Sequence, residues 1–560
     1  MSTKPRPWPD RRRVWLALAV ALSLIYIGGV TATRLLAPSP ARTSDTALDA
    51  PRFVDDAIRA GVGHAYTGEF AFYVGGGVAA FDCDPDGMTD LFLAGGDAPA
   101  ALFRNTSQVA GALAFERIAD PATDLRSVTG AYPIDIDGDR HIDLAVLRHG
   151  EDVILRGMGD CRFERANETL GIDGGNGWTV AFSATWEGPS ATLPTLAFGD
   201  YILVDEAEDF TGDCADGRLI RPAAHGASYA SPIALRPSWC TLSMLFSDWD
   251  RSGRRDLRVS NDRHYYRDGE EQLWRIEPGR APRLYTRDEG WELLRVWGMG
   301  IASEDVTGDP YPEVYLTSQG DNKLQTLADG PTAPSYEDIA LRRGATAHRP
   351  FAGDDRLPST AWHPAFEDVN NDGLVDLYVS KGNVEAQSEY AMDDPSNLLI
   401  GQPDGTFVEG AERAGIVDFA KARGAAVVDL NRDGLLDIVQ VVRRENVRIW
   451  RNVGGGDATT PTPLGGWIAV VPDQDGPNHD AIGAWVAVRS GDRLREREVI
   501  VGGGHASGQL VPIHFGLGAA ERAEVRVTWP DGEVGPWSTV EAGQTVRIVR
   551  GAAAPEPLNP

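Results

Sequence analysis

Oxygen-bearing side chains fall at the first, third, fifth and ninth places of a nine-residue stretch, and this happens six times along a chain of 560 residues. The sets are Asp82, Asp84, Asp86 and Asp90; Asp135, Asp137, Asp139 and Asp143; and Asp248, Asp250, Ser252 and Asp256. Three more follow: Asp305, Thr307, Asp309 and Glu313; Asp368, Asn370, Asp372 and Asp376; and Asp429, Asn431, Asp433 and Asp437. Carboxylates packed this closely repel one another unless a cation sits among them. A hard cation taking oxygens at about 2.3–2.6 Å answers that need, and Ca²⁺ is the expected one, with the seventh carbonyl and water completing its shell. A single loop of this kind reads equally well as a metal-free turn, since Asp, Asn and Gly also serve turns. Sixfold recurrence favours metal, and up to six structural Ca²⁺ ions are expected.

The loops are not EF-hands. That motif needs a bidentate Glu at the twelfth place and a helix after the loop. The twelfth residues here are Leu93, Val146, Val259, Leu316, Val379 and Gln440, and the runs after the ninth place, such as Leu91 to Leu93 and Leu377 to Val379, read as strands. Gly373 at the sixth place of its loop permits a sharp turn between two such strands.

Spacing sets the architecture. The loops start at 82, 135, 248, 305, 368 and 429, so the steps are 53, 113, 57, 63 and 61 residues. The step of 113 hides a degenerate copy at Glu187, where Pro189 and Ala191 offer no side-chain oxygen and no metal is expected. Seven repeats result. Each has a small, apolar run entering the loop (Gly77 to Phe81, Gly300 to Ser303, Gly424 to Val428), a second leaving it, and two more before the next. Four short strands per repeat at this period predict an all-β, seven-bladed β-propeller, whose closure protects the sheet edges that an open array would expose. A β-solenoid uses much shorter repeats.

In chain order, residues 1–13 are a basic tail, expected to be cytoplasmic, and 14–33 run twenty residues without a charge. At about 1.5 Å per residue that is a helix roughly 30 Å long, enough to cross a bilayer, with the basic flank inside. An uncleaved signal anchor is favoured over a cleaved signal, placing the bulk in the periplasm or outside the cell. Residues 34–50 read as a linker, 51–455 as the propeller, and 465–550 as a small β-sandwich or barrel. The Gly- and Pro-containing stretch 201–239 reads as an insertion projecting from one rim, and 551–560 as a disordered tail.

Net charge is −29, and the chain stays acidic with every loop filled. That argues against a nucleic-acid partner, which needs basic patches. Four cysteines, Cys83, Cys161, Cys214 and Cys240, include no CxxC pair, so zinc is not expected. An even count suits disulfides in an exported chain, and of three possible pairings Cys214–Cys240 would staple the 201–239 stretch. No catalytic motif occurs: there is no HExxH, no GxSxG and no phosphate-cradling loop. Gly503 to Gly508, with His505 near Ser507, reads as a glycine-rich turn rather than a catalytic pair.

With these residues in view the loops and their flanking strands resemble the FG-GAP/VCBS repeats of integrin-type seven-bladed propellers. Asn478 to Val488, Ser507, His514 to Gly518 and Trp529 to Gly532 resemble an ASPIC/UnbV domain. A propeller followed by ASPIC/UnbV is the layout of the cartilage acidic protein family and its bacterial members. The resemblance implies calcium ligands at the four places of each intact loop, with Ser252, Thr307 and Glu313 departing from the usual Asp or Asn. It implies no settled activity. The expected role is a calcium-binding adhesion scaffold for an extracellular or periplasmic protein or glycan. The alternative is a polysaccharide hydrolase or lyase working in the propeller's central funnel.

Overall fold

The computed structural model describes residues 49–204, 212–224, 226–262, 269–385 and 387–558. The expected tail at 1–13, the span at 14–33 and nearly all of the linker lie outside them. Among the described residues no helix is long and apolar enough to cross a membrane.

Seven antiparallel four-stranded blades form the first part of the fold. Blade 1 is Val78–Phe81, Asp90–Leu93, Ala101–Asn105 and Phe115–Ile118, in that spatial order. Blades 2 to 7 begin on the inner strands Val128–Ile134, Gly177–Thr185, Thr241–Ser247, Gly298–Glu304, Ala361–Glu367 and Ala422–Val428. Apart from one residue in each of two of them, these strands are buried along their whole length. That explains why they read as continuous small and apolar runs rather than as alternating ones: neighbouring blades cover both faces. Blade 7 takes its outermost strand from the other end of the propeller. Arg52–Asp55 pairs with Arg448–Gly454, with Phe53 opposite Asn452 and Asp55 opposite Trp450. The ring is therefore closed by hydrogen bonds between chain ends, and no blade edge is left to seek a partner at that seam.

The third blade corrects one expectation. Gly217–Ile220 pairs with Thr195–Asp200, and Ile233–Leu235 pairs with Gly217–Ile220. Much of the stretch 201–239 is thus the outer half of blade 3, not an insertion. Its strands are four and three residues long and sit among turn-forming residues, too short to show a period. Cys214 is bonded to Cys240, which fastens the approach to these strands to the root of blade 4's inner strand. The second disulfide, Cys83–Cys161, joins the first loop of blade 1 to the outer turn of blade 2.

The C-terminal part is a sandwich of two four-stranded sheets. One contains Gly466–Asp473, Ile513–Gly518, Gln544–Val549 and Glu556–Pro557; the other contains Trp485–Ser490, Arg493–Glu498, Arg522–Thr528 and Ser538–Glu541. Glu556 and Pro557 pair with Arg547 and Val546, so the tail expected to be disordered contributes a short edge strand. The sandwich core of Ile468, Val486, Phe515 and Val527 runs without a break into Tyr132, Ile134 and Phe182 of blades 2 and 3.

Candidate metal loops and the filled channel

Each of the six loops joins the first and second strands of a blade, so all lie at one end of the ring. They share one backbone conformation. The fourth and sixth residues are left-handed in every loop: Pro85 and Gly87, Gly138 and Arg140, Arg251 and Gly253, Gly308 and Pro310, Asn371 and Gly373, Arg432 and Gly434. Glycine takes the sixth place in only four of them. A left-handed Arg140 costs energy that the loop's other bonds must offset.

Those bonds repeat from loop to loop. The first Asp accepts from the sixth backbone N–H at 2.8 Å in the loops of Asp82, Asp368 and Asp429. The fifth Asp accepts from the seventh N–H at 2.8–2.9 Å (Asp86, Asp139, Asp372, Asp433). The ninth Asp is a bracket. One oxygen takes the second residue's N–H and the other takes an N–H from the third strand: Cys83 and Asn105 for Asp90, Ile136 and Gly157 for Asp143, Val369 and Gly401 for Asp376, Leu430 and Asn452 for Asp437.

Hydrogen bonds alone do not balance these sites. Asp82, Asp84 and Asp86 bring carboxylate oxygens within 4.8 Å of one another, as do Asp135, Asp137 and Asp143. Burial, with neighbouring carboxylates adding to it, lifts Asp82 to about 6, Asp90 to about 8 and Asp429 to about 7. The same two causes push Asp376 and Asp437 well above the usual carboxylate range. Oδ1 of Asp84 and Oδ1 of Asn431 are buried without a hydrogen-bond partner. Oxygen-only donors, unpartnered oxygens and clustered buried charge are what a hard divalent ion resolves. The loops at 82, 135, 368 and 429 fit one. In the first two an arginine from the third strand reaches the outer carboxylates: Arg104 meets Asp84, and Arg156 meets Asp137 and Asp139 at 2.7 and 2.9 Å. Both arginine side chains are more than a third exposed.

Two loops differ. In the loop at 305 the longer Glu313 reaches inward, accepting from Val306 N at 2.9 Å, from Thr307 Oγ1 at 3.1 Å and from Thr326 Oγ1 at 2.7 Å. In the loop at 248, Arg254 donates to Asp256 at 3.1 and 3.2 Å and to Asp250 at 3.4 Å. The degenerate loop of blade 3 is also closed by an arginine: Arg221 grips Glu187 through Nε at 2.6 Å and Nη2 at 3.0 Å, and Thr195 Oγ1 donates to the same carboxylate at 2.7 Å. Sequence reasoning passed over both arginines. Arg254 had a visible signal, a cation at the seventh place where the other loops have Met88, His141, Tyr311, Leu374 and Leu435.

The C-terminal sandwich sits on this loop end. His479 Nε2 meets Asp135 Oδ2, His514 Nε2 lies 2.6 Å from Asn371 Oδ1, and Arg493 donates to Asp372 O at 2.9 Å. Arg497 spans Glu304 at 3.0 Å and Glu367 at 2.7 Å, the residues just before two of the loops.

From that sandwich one segment enters the ring. Val501 O accepts from Ser183, Gly503 N donates to Met244 O at 2.7 Å, and Gly504 N donates to Ile301 O at 2.7 Å. His505 N donates to His363 Nδ1 at 3.1 Å, Ala506 O accepts from Ala131 N at 3.2 Å, and Ser507 Oγ accepts from Val78 N at 3.1 Å. Gly508 and Gln509 pair in parallel with Ala79 and Ala80, and the Gln509 amide oxygen accepts from Val427 N. All seven blades touch this segment. The glycines of the inner strands make room for it: a Cβ on Gly77 would lie 1.8 Å from the Ala506 oxygen, and one on Gly424 would lie 2.2 Å from Ser507 Oγ. His505 is fully buried, and burial depresses it to about 3, so it is neutral. The stretch read as a turn is a stopper in the channel.

A family model for "ASPIC and UnbV" matches residues 474–555, and one for an FG-GAP-like repeat matches 368–440. The chain carries an FG-GAP-like repeat and an ASPIC/UnbV domain. The FG-GAP match covers the loops of blades 6 and 7, and the ASPIC/UnbV match contains the channel stopper. No curated protein matches the chain. Among solved structures, BBS1N in its complex with ARL6DN aligns at 11% identity and TM-score 0.41, covering 74% of this chain and 100% of that one. AofleA from Arthrobotrys oligospora aligns at 11% identity and TM-score 0.34, covering 60% and 86%. Rhamnogalacturonan lyase YesW aligns at 12% identity and TM-score 0.31, covering 88% and 92%.

Proposed function

We propose that this propeller is a calcium-braced scaffold, held to a membrane by its N-terminal segment and displayed outside the cytoplasm, which binds a protein or glycan on its outer surfaces. The observation that carries the scaffold reading is the stopper. A funnel enzyme needs an open channel, and here Ala506 and His505 are fully buried where a substrate would have to enter. The ASPIC/UnbV sandwich covers the loop end, so the surfaces left for a partner are the blade flanks and the opposite rim.

Calcium would be held by the side chains of Asp82, Asp84 and Asp86, of Asp135, Asp137 and Asp139, of Asp368, Asn370 and Asp372, and of Asp429, Asn431 and Asp433, with Asp90, Asp143, Asp376 and Asp437 at the ninth places. Its contribution would be electrostatic: it neutralises buried carboxylates and fixes the turn between two strands. Two disulfides with no free cysteine among the described residues support an oxidising compartment. The basic flank and uncharged run at 14–33 support the anchor.

The test uses the full chain in detergent. Calcium titrated into chelator-treated protein is expected to raise the melting midpoint, and a polysaccharide panel is expected to show binding without turnover. An unchanged melt ends the calcium part of the reading. Turnover abolished by a single substitution in the channel ends the scaffold part.

A further inference from the structure

We propose that blade 4 carries its own cation: the Arg254 guanidinium stands in the place of a divalent ion, so the loop 248–256 takes no calcium in the native chain and acquires a site when that guanidinium is removed. The inference deepens the calcium reading of the other loops and rests on it for the comparison.

The geometry is particular to this loop. Arg254 Nη2 lies 3.2 Å from Asp256 Oδ2 and 3.4 Å from Asp250 Oδ2, and Nε lies 3.1 Å from Asp256 Oδ1. One planar group thus bridges the third and ninth places. A divalent ion bound there would have to expel it, because two cations cannot share those oxygens. Arg104 and Arg156 in blades 1 and 2 touch only the third and fifth places, from the third strand, and never the ninth. The ninth carboxylate is also more heavily engaged in blade 4. Besides Arg254 and the Ile276 N–H at 3.0 Å, Asp256 accepts from Trp249 Nε1 at 3.0 Å and from Tyr285 OH at 2.7 Å. Tyr285 OH in turn lies 3.1 Å from Arg254 Nη2, which closes the network.

Oxygen donors remain beneath the arginine. Asp248 is 2% exposed, and its Oδ1 has no hydrogen-bond partner. Its other oxygen accepts from Gly253 N at 3.0 Å, the bond made by the first Asp of the loops that fit an ion. The left-handed pair Arg251 and Gly253 gives the backbone the same turn. The oxygen donors and the loop shape are therefore in place, and the guanidinium is what differs. Blade 3 uses the same substitute, Arg221 on Glu187, with no ligand set behind it.

The experiment counts calcium ions per chain by calorimetric titration of chelator-treated full-length protein. If wild type binds n, Arg254→Ala is expected to bind one more and Asp250→Ala to bind n, whereas Asp372→Ala, in blade 6, binds one fewer. A folded Arg254→Ala that still binds n overturns the proposal, and so does an Asp250→Ala that loses one. Should Arg254→Ala fail to fold, Arg254→Gln, which removes the charge and keeps a donor near Asp256, replaces it, and the Asp250→Ala count decides independently. A wild type that binds no calcium ends the reading of the other loops. In that case a gain of one ion in Arg254→Ala still upholds this inference, and no gain overturns it.

Discussion

Blades 4 and 6 build the same turn from the same backbone and neutralise it differently. In blade 6, Asp368 and Asp376 are fully buried, and burial, with neighbouring carboxylates adding to it, raises both; Arg495 of the sandwich comes within 3.4 Å of Asp368 at the first place, and the loop contains no arginine of its own. In blade 4 an arginine of the loop itself satisfies the ninth carboxylate. The first solution depends on what the solvent supplies; the second is fixed in the chain. On the proposed calcium reading, a ring that mixes the two would keep part of its loop end ordered whatever the calcium level and let the rest respond to it.

The hardest test of that comparison is to remove calcium altogether. An ion held at tenfold its dissociation constant contributes about 1.4 kcal/mol, so four contribute ~6 kcal/mol. For a cooperative unit of this size that is a fall in melting midpoint of about 6 °C. The effect must also depend on pH. Asp429 rises from 3.8 to about 7 in the ion-free fold, through burial and then Asp433. The ion-free fold therefore gains from protons at low pH and loses that gain as pH rises through about 7. Bound calcium keeps the carboxylates ionised, so the calcium-induced rise in melting midpoint should grow between pH 5 and pH 8. A rise that shrinks over that window would place the ions somewhere other than these carboxylates.

The arginine side of the comparison breaks with Arg221→Ala. Glu187, 11% exposed with the arginine in place, would lose its charge partner. Removing one member of a buried pair costs about 3 kcal/mol or more. The loss should be equal in calcium and in chelator, measured by chemical denaturation. A loss seen only in calcium would mean that blade 3 is not self-neutralised.

The channel offers a third contrast, because its packing involves no loop carboxylate. Gly77→Ala drives a methyl group into the Ala506 carbonyl. Overpacking of this kind costs ~2 kcal/mol. The variant should loosen the stopper, read as faster hydrogen exchange at Gly503 to Ser507, at any calcium level. Exchange that stays slow would show that the segment is held by the sandwich rather than by the inner strands.

What could be read from the sequence follows from range. The loops lie at the junction of first and second strands, so their recurrence counted blades and marked where each begins. The ninth Asp announced itself because it is both a candidate ligand and the first residue of the second strand. The outer strands of blade 3, Gly217–Ile220 and Ile233–Leu235, are shorter than any period that could reveal them. Gly502 to Gly508 looked like a turn because a stopper needs small residues and backbone hydrogen bonds, which have no periodic signature. Its meaning lies in Gly77, Gly130 and Gly424, more than seventy residues away in the chain at the least and over four hundred at the most. Arg497 over Glu304 and Glu367 is long-range in the same way. Arg254 was within reach, since it stands inside the loop it disables.

The smallest expected effect is also the most discriminating. Two features separate the loop at 248 from the full carboxylate pattern: Ser252 at the fifth place and Arg254 at the seventh. If the weak fifth ligand were what disables the loop, Ser252→Asp would create a calcium site and raise stability by mass action. If the guanidinium disables it, Ser252→Asp adds one exposed carboxylate near Arg254 and changes little. Exposed substitutions of this kind stay within about 0.5 kcal/mol, and surface ion pairs gain at most about 1 kcal/mol. Melting of Ser252→Asp in calcium and in chelator should therefore shift by the same small amount, with the ion count unchanged. A calcium-dependent gain in this variant, with Arg254 still present, would mean that the arginine swings aside, and the distinction between the two kinds of blade would reduce to one ligand.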